Sequence, residues 1–182
     1  MGKEFSIIDK DLAAWVGKQQ MFFVATAPLA ADGLVNCSPK GRDTLRIIGP
    51  AEVAYLDLGG SGIETVAHIK QNGRIVVMLC AFEGPPRIVR FHGRGEVLEP
   101  GMAGFDALLQ VFPPPPSPAR SLIRIQVERI SDSCGFGVPR YAYQGQRSSI
   151  ENYVRDKRPE ELEAYKAEHN RKSLDGLPGL DI

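Results

Sequence analysis

Residues 52–80 read EVAYLDLGGSGIETVAHIKQNGRIVVMLC, a stretch that predicts a strand, a glycine-rich turn, a helix and a second strand. The first strand covers Glu52–Leu58, and the turn is Gly59–Gly62. Helical spacing follows over Ile63–Gln71, and Arg74–Cys80 is a nearly unbroken apolar run. A turn that leads into a helix N-terminus presents free backbone N–H groups and the positive end of the helix dipole. The stretch therefore predicts a receptor for an anion, most often a phosphate.

A second segment upstream also carries groups that bind anions. Asn36–Arg42 offers a hydroxyl, an ammonium and a guanidinium group, and Ser38 and Lys40 share one face of an extended chain. Charge-assisted hydrogen bonds to a phosphate contribute about 1.5–3 kcal/mol each, so two or three would anchor a ligand. We expect the two segments to meet on a phosphorylated cofactor. Ordinary turn chemistry and solvated surface cations are the alternative interpretation.

The composition excludes several classes of partner. The 182 residues suit one domain with a terminal extension. Lys plus Arg and Asp plus Glu each number 22, so the net charge is zero and nucleic-acid binding is not expected. The three cysteines are far apart and form no C-x-x-C, which is typical of a reduced, cytoplasmic protein. No apolar run approaches the roughly 18 residues of a membrane span, and the three histidines lack a shared metal-ligand spacing. We therefore expect a cytoplasmic protein with no membrane, nucleic-acid or metal partner.

Alternating apolar residues predict several further strands. Arg87–Glu99 alternates strictly and should have one dry and one polar face. Its glycines, Gly93 and Gly95, predict a bulge or the close approach of another group. Ile75–Leu79 is apolar at every position, so we expect that strand to be covered on both faces. Other strands are predicted at Met21–Ala27, Leu34–Ser38, Thr44–Ile48 and Leu122–Ile130. Because short turns join most of them, an antiparallel barrel or sandwich with peripheral helices is expected.

Residues 134–182 differ from the strand-rich part of the chain. Helices are predicted from Ser148 or Ser149 to Lys157 and from Pro159 to Asn170, and residues 171–182 lack periodicity. We assign residues 1–133 to a barrel domain. Residues 134–182 then form a helical C-terminal extension that packs on the same domain or on a dimer.

Three segments follow one another in an informative order. They are Val35-Asn36-Cys37-Ser38-Pro39-Lys40-Gly41, then Val53-Ala54-Tyr55-Leu56-Asp57 with the turn and helix after it, then the arginine-bearing hairpin at Arg74–Leu98. From about Met21 to Ser133 the chain resembles the pyridoxamine 5'-phosphate oxidase-like family of flavin-binding split barrels. CGFGVP at 134–139 and LDGLPGL at 174–180 look like a particular branch of that family. The resemblance implies a six-stranded antiparallel split β-barrel, mainly β in an α+β chain, that forms a homodimer with FMN at the subunit interface.

The resemblance also implies roles for individual residues. The phosphate and ribityl end of FMN would be lined by Ser38, Lys40, Arg42, Ser61, Gly62 and Thr65. Tyr55 and Asp57 would lie nearer the flavin ring, and Arg87 or Arg94 would come from the partner subunit. Taken without the resemblance, Tyr55 is a packing residue and Asp57 a surface turn carboxylate.

The function expected from this resemblance is that of an FMN-dependent oxidoreductase, which moves hydride or electrons between the flavin and a small molecule. Two features depart from the family. Leu45–Gly49 replaces an Arg-x-Val-Leu-Leu-Lys strand, and Leu174–Leu180 replaces an Arg-Leu-x-Pro motif. Both argue against vitamin B6 phosphate as the substrate. The alternatives are a flavin- or haem-binding sensor or carrier without turnover, and an oxidoreductase that uses the deazaflavin F420.

Overall fold

The computed structural model describes residues 2–182 and contains eight strands and five helices in that range. The strands are β1 (Glu4–Phe5), β2 (Met21–Thr26), β3 (Asn36–Gly41), β4 (Leu45–Gly49), β5 (Glu52–Leu58), β6 (Arg74–Cys80), β7 (Ile88–Leu98) and β8 (Ala119–Ser133). The helices are α1 (Lys10–Val16), α2 (Glu64–Asn72), α3 (Phe105–Leu109), α4 (Ser149–Arg155) and α5 (Pro159–His169). Every predicted strand is present within three residues of its expected bounds, whereas the two-residue β1 was not expected.

All strands belong to one antiparallel sheet that curls into a split barrel. Seven strands follow the order β3-β2-β6-β7-β8-β5-β4, and β1 adds to β8. The curl brings β3 towards β5 although four strands lie between them in the sheet, since Lys40 on β3 and Asp57 on β5 form an ion pair. The predicted split-barrel class is confirmed. Among the described residues the sheet has eight strands where six were expected, since β4 continues it beyond β5 and the short β1 adds to β8.

The interior of the curled sheet holds the main apolar core. Inward-facing side chains of β2, β5, β6, β7 and β8 pack with α1 and α2 around the fully buried Val24, Tyr55, Val77 and Phe91. A smaller core packs α3 against β5 and β8. On β6, Val76 and Met78 face outwards and remain only half-buried in the single chain. The expectation that β6 is covered on both faces is thus met on the inner face alone.

The two glycines in β7 occupy positions where a side chain would not fit. Pairing with β8 shifts register between His92 and Gly93, so a bulge lies there as predicted. A Cβ on Gly93 would collide with the backbone carbonyl of Gln126, and one on Gly95 would lie 2.9 Å from the Cδ1 of Ile69. Helix α2 therefore packs closely on β7 at Gly95, which is the second predicted reason for glycine in this strand.

Helix boundaries follow local chemistry. The Asp9 side chain accepts a hydrogen bond from the backbone N–H of Leu12 at 2.8 Å and caps α1. Gly73 adopts φ 71° after α2 and donates its N–H to the carbonyl of Ile69, which is a left-handed C-cap. None of the helices found in residues 2–182 has the length and apolar character needed to cross a membrane.

The C-terminal extension packs on the barrel of the same chain. Glu151 of α4 binds Arg42 at the end of β3, and Asn170 after α5 donates to the carbonyl of Gly60 at 2.9 Å. Leu180, from the segment without periodicity, is buried in the main core. The extension therefore contributes buried contacts at both the β3–β4 connection and the glycine-rich turn.

Candidate functional site

The polar residues of β3 face the interior of the barrel. Ser38 pairs directly with Val24 and Lys40 with Phe22, and both partners on β2 point into the core. Directly paired residues in an antiparallel sheet share a face, so Asn36, Ser38 and Lys40 all point inwards. The prediction that Ser38 and Lys40 share a face is confirmed, and Asn36 lies on the same face.

Lys40 enters a buried charge cluster with Asp57 and Arg120. The Asp57 carboxylate is fully buried; its Oδ1 lies 3.0 Å from Lys40 Nζ, and its Oδ2 accepts from Arg120 Nε at 2.8 Å and from Ser121 Oγ at 3.3 Å. Arg120 also donates from Nη1 to the carbonyl of Gly60 at 2.8 Å. Burial alone would raise the pKa of the Asp57 carboxyl. The Lys40 and Arg120 charges outweigh burial and hold that pKa below its ordinary value of 3.8, so Asp57 is ionised at neutral pH.

Tyr55 lies two residues before Asp57 and is fully buried. Its ring packs edge-on against Phe22 with a centroid distance of 5.5 Å, and Lys40 Nζ lies 6.0 Å from its centroid. The hydroxyl has no hydrogen-bond partner among the described residues. Burial raises the pKa of Tyr55 well above its ordinary value of 10.0, so the phenol keeps its proton. Both Tyr55 and Asp57 therefore lie in the interior, deeper than the partly exposed Lys40.

Asn36 connects β3 to α2. Its Nδ2 donates to Thr65 Oγ1 at 2.9 Å and to Thr26 Oγ1 at 3.3 Å, while its Oδ1 accepts from Ser38 Oγ at 2.9 Å. Thr26 is in turn 3.0 Å from Nδ1 of the buried His68. The two predicted segments do meet, since Ser38 and Thr65 are joined through one asparagine side chain. Their polar atoms bind one another within the protein.

The glycine-rich turn is held by carbonyl rather than N–H contacts. Gly60 O accepts from both Arg120 and Asn170. At the N-terminus of α2 the Glu64 carboxylate lies so close that a Cβ on Gly62 would be 2.8 Å from Glu64 Oε2. The other Glu64 oxygen accepts from the N–H of Leu174 at 3.2 Å. The first turn of α2 thus carries the chain's own carboxylate and is contacted by the C-terminal tail, and Ser61 and Gly62 are exposed beside it.

An open cleft of about 1650 Å³ lies on the other side of Lys40. We call it the β2–β3 cleft; β2, β3, the end of α1, the β6–β7 connection and residues 141–150 form its walls. Its aromatic side chains are Trp15, Phe23, Phe82, Tyr141 and Tyr143. Its cations are Lys18, Lys40, Arg42, Arg87 and Arg147, against the carboxylates Glu83 and Asp132 among the described lining residues. The lining of the cleft therefore includes five aromatic side chains and carries a net positive charge.

Arg42 ties residues 147–151 to the rim of the cleft. Its Nη1 donates to Glu151 Oε1 at 2.7 Å, and its Nη2 contacts Glu151 Oε2 and the carbonyl of Arg147. Arg42 and Asp43 have φ values of 62° and 56°, so this turn places two non-glycine residues in the left-handed region. Arg42 is thus fixed by the C-terminal extension at the position where it lines the cleft.

The predicted site residues accordingly divide into three groups. Lys40 and Arg42 line the cleft. Ser38, Tyr55, Asp57 and Thr65 lie behind Lys40 in the interior, and Ser61 and Gly62 lie on the exposed turn. Arg94 is separate from all of these, because it pairs with Arg74 and Gln126 in the sheet and binds the carbonyl of Asn72 and the carboxylate of Glu128.

Two residues of this region were missed from the sequence. Arg120 falls just before the strand predicted at Leu122–Ile130, and Asn170 falls at the end of a predicted helix. Register offers a signal for Arg120, since Asp57 pairs directly with the adjacent Ser121. Asn170 carries no local signal, because its contacts to the turn join residues 110 positions apart.

Fold and site together define a split-barrel protein with a cationic, aromatic cleft beside an inward-facing lysine. The family model described as pyridoxamine 5'-phosphate oxidase matches residues 8–134. The pyridoxamine 5'-phosphate oxidase family protein ustO of Aspergillus flavus is 33% identical over 196 residues, which cover 97% of this chain and 77% of that protein. The chain belongs to the pyridoxamine 5'-phosphate oxidase family.

Solved structures share the same fold at lower identity. HupZ of Group A Streptococcus matches with a TM-score of 0.52 and 22% identity, covering 75% of this chain and 99% of HupZ. A candidate pyridoxamine 5'-phosphate oxidase of Lactobacillus delbrueckii matches with a TM-score of 0.52 and 16% identity, covering 70% of this chain and 98% of that one. At these identities the likeness shows the fold alone.

Proposed function

We propose that the protein is a flavoprotein that binds FMN non-covalently in the β2–β3 cleft and acts as an oxidoreductase on a small molecule. The observation that carries this proposal is the cleft itself, where Lys40 and Arg42 lie in the same lining as five aromatic side chains. FMN combines an apolar planar ring with a phosphate, and both parts have matching surfaces there. Membership of the pyridoxamine 5'-phosphate oxidase family supports the same assignment.

The residues present fit such a ligand. The cleft exceeds the roughly 300–1,000 Å³ of typical small-molecule sites, so it has room for a flavin and a second molecule. Phe23, Phe82 and Tyr141 offer packing surface for the ring, and Lys40 and Arg42 offer charge-assisted hydrogen bonds to the phosphate. When bound, the flavin supplies the hydride or electron transfer, while the protein binds and orients it and excludes water.

We propose a second copy of the chain as the partner that covers the outward face of the sheet. Across β3, β2 and β6, Cys37, Ala25 and Val76 lie in one row, and Phe23 and Met78 lie in the next. These side chains face away from the core and are exposed or half-buried. An apolar sheet face of this kind is typical of a protein interface. Because Phe23 also lines the cleft, a dimer through this face would place the flavin next to the interface.

The dimer predicts a clear effect of a charge on this face. Met78→Asp would bury a carboxylate in the interface, so the variant should elute as a monomer at concentrations where the native chain is a dimer. Light scattering coupled to gel filtration measures this mass. Val111→Asp, at an exposed apolar position outside the face, is the matched control and should remain dimeric. A native protein that is monomeric would contradict the proposal.

We propose a reduced, cytoplasmic setting because the cysteines are free. Within residues 2–182 Cys37, Cys80 and Cys134 form no disulfide, and Cys37 and Cys134 are exposed. Such free thiols are usual where glutathione and thioredoxin keep cysteines reduced. Expression in an oxidising compartment should therefore yield mixed disulfides at Cys37 and Cys134, which mass spectrometry detects.

The visible absorption spectrum of the purified protein tests the cofactor. The paired bands of an oxidised flavin are expected, with the cofactor released on denaturation and identified as FMN by mass spectrometry. A Soret band would favour haem, although none of the histidines in residues 2–182 lines the cleft. Tight binding of F420 in place of FMN would favour the deazaflavin alternative. Bleaching by NADH or NADPH and reoxidation by an added acceptor would distinguish an oxidoreductase from a carrier.

Lys40→Ala is expected to weaken FMN binding by about 10- to 100-fold, the range of one charge-assisted hydrogen bond. Flavin fluorescence quenching measures the dissociation constant. Lys10→Ala, at an exposed lysine of α1 that does not line the cleft, should bind FMN as the native protein does. Riboflavin lacks the phosphate, so its affinity should differ less between the native protein and Lys40→Ala than the affinity of FMN does. An unchanged FMN affinity in Lys40→Ala would show that the phosphate does not lie at Lys40.

A further inference from the structure

The charges beside the cleft do not balance within the cluster. Asp57 places one oxygen on Lys40 and the other on Arg120, so a single carboxylate lies between two cations. The cluster therefore keeps one positive charge in surplus. An anion in the β2–β3 cleft would lie next to that surplus charge at Lys40.

The three members differ in their access to the cleft. The side chains of Asp57 and Arg120 are 0% and 5% exposed, whereas that of Lys40 is 20% exposed, and Lys40 is among the residues that line the cleft. Asp57 takes up one of the three hydrogen-bond donors of the ammonium group. Arg120 is anchored at its far side by the carbonyl of Gly60. Only Lys40 among the three is placed to reach a ligand.

We propose that Asp57 and Arg120 are positioning residues that act on the flavin phosphate through Lys40, and that Asp57 does not contact the flavin. Asp57 fixes the direction of the ammonium group. Arg120 shares the Asp57 charge, so that Lys40 keeps the attraction for an anion that a one-to-one ion pair would cancel. This inference rests on the proposed binding of FMN, and it replaces the expectation that Asp57 lies near the flavin ring.

A double-mutant cycle with FMN tests the proposal. Arg120→Gln leaves Asp57 to Lys40 alone and should weaken FMN binding about tenfold, the scale of one charge-assisted hydrogen bond. In a Lys40→Met background the same change should have no effect on FMN affinity. A structural role for Arg120 would instead weaken binding equally in both backgrounds, and that result would overturn the proposal. In an Asp57→Asn background that folds, Arg120→Gln should likewise leave FMN affinity unchanged, because the carboxylate that Arg120 shares with Lys40 is gone.

A second measurement does not depend on the flavin. In the unliganded protein, a hydrogen-bonded Lys40 ammonium group should give a resolved ¹H–¹⁵N signal for its side chain. The signal should persist in Arg120→Gln and disappear in Asp57→Asn, with folding checked by circular dichroism. If the native protein fails to bind FMN, the proposed function fails while this signal still reports the positioning. A Lys40 signal that persists in folded Asp57→Asn would overturn the role of Asp57.

Discussion

Replacement of Asp57 by alanine is expected to lower the free energy of unfolding by about 3–5 kcal/mol, the usual cost of breaking a buried ion pair by removing one partner. The carboxylate is fully buried and holds both Lys40 and Arg120. Lys40 can turn towards the cleft and regain water, since it is partly exposed. Arg120 cannot, and keeps the carbonyl of Gly60 as its remaining buried partner. The penalty therefore falls mainly on Arg120.

Chemical denaturation at neutral pH measures this loss, with Glu163→Ala as the control. Glu163 is an exposed carboxylate of α5 that binds Lys166, and exposed pairs contribute about 0–1 kcal/mol. The contribution of Asp57 to stability should also depend on pH, in a direction set by its lowered pKa. Because the folded pKa of Asp57 is below its unfolded value of about 3.9, its contribution is complete above about pH 4 and is lost as the pH falls through the folded pKa. The native protein and Asp57→Ala should therefore converge in stability at acid pH. A constant difference across that range would show that the loss comes from packing and not from charge.

Much of the barrel could be predicted from the sequence because apolar and polar residues alternate along its strands. The period of two set the inner face of β7 and the shared face of Asn36, Ser38 and Lys40. The partners of each strand could not be predicted in the same way. Strand β5 pairs with β8 and β4, so the helix after β5 leads to a strand that is not its neighbour in the sheet. Such pairing depends on contacts between distant residues, which no local pattern encodes.

The sequence indicated which residues belong to the site better than it indicated how they are arranged. Lys40 and Asp57 were both named from the sequence, yet their contact depends on the curl of the sheet. Whether the polar face of β3 points inwards could not be read, because a strand containing serine, proline and lysine has no apolar face to orient it. Arg94 lies opposite Arg74 and apart from the other predicted residues of this chain, so its expected contact with the flavin from a partner subunit stays a prediction.

The role of the glycine-rich turn also differs from the one expected. Gly59 and Gly60 are small residues before a helix, but a Cβ at either position would have nothing within 4 Å. The turn does not need glycine there for space. What the turn contributes is a carbonyl at Gly60, to which Arg120 and Asn170 both donate. The backbone thus holds the charge cluster in place, and Glu64 in the first turn of α2 accepts a hydrogen bond from the N–H of Leu174.

Gly93→Ala is expected to destabilise the protein by about 3 kcal/mol, at the upper end of what overpacking costs. The new methyl group would meet the backbone oxygen of Gln126 and lie 2.9 Å from its carbonyl carbon and 3.0 Å from the Cα of Val127. These are backbone atoms of β8, the strand that pairs with β7, β5 and β1, so no side-chain rotation can relieve the contact. Thermal and chemical denaturation measure the loss.

Substitutions at two further glycines serve as comparisons for the stability loss in Gly93→Ala. Gly95→Ala should cost clearly less than Gly93→Ala, because its methyl group would meet the flexible end of the Ile69 side chain, which can move aside. Gly59→Ala should be neutral or stabilise by up to about 1 kcal/mol, since it adds no contact and reduces the freedom of the unfolded chain. The expected order of stability is therefore Gly59→Ala, then Gly95→Ala, then Gly93→Ala. Equal losses for Gly93→Ala and Gly95→Ala would mean that β7 and β8 separate readily at the bulge, contrary to the tight backbone contact described above.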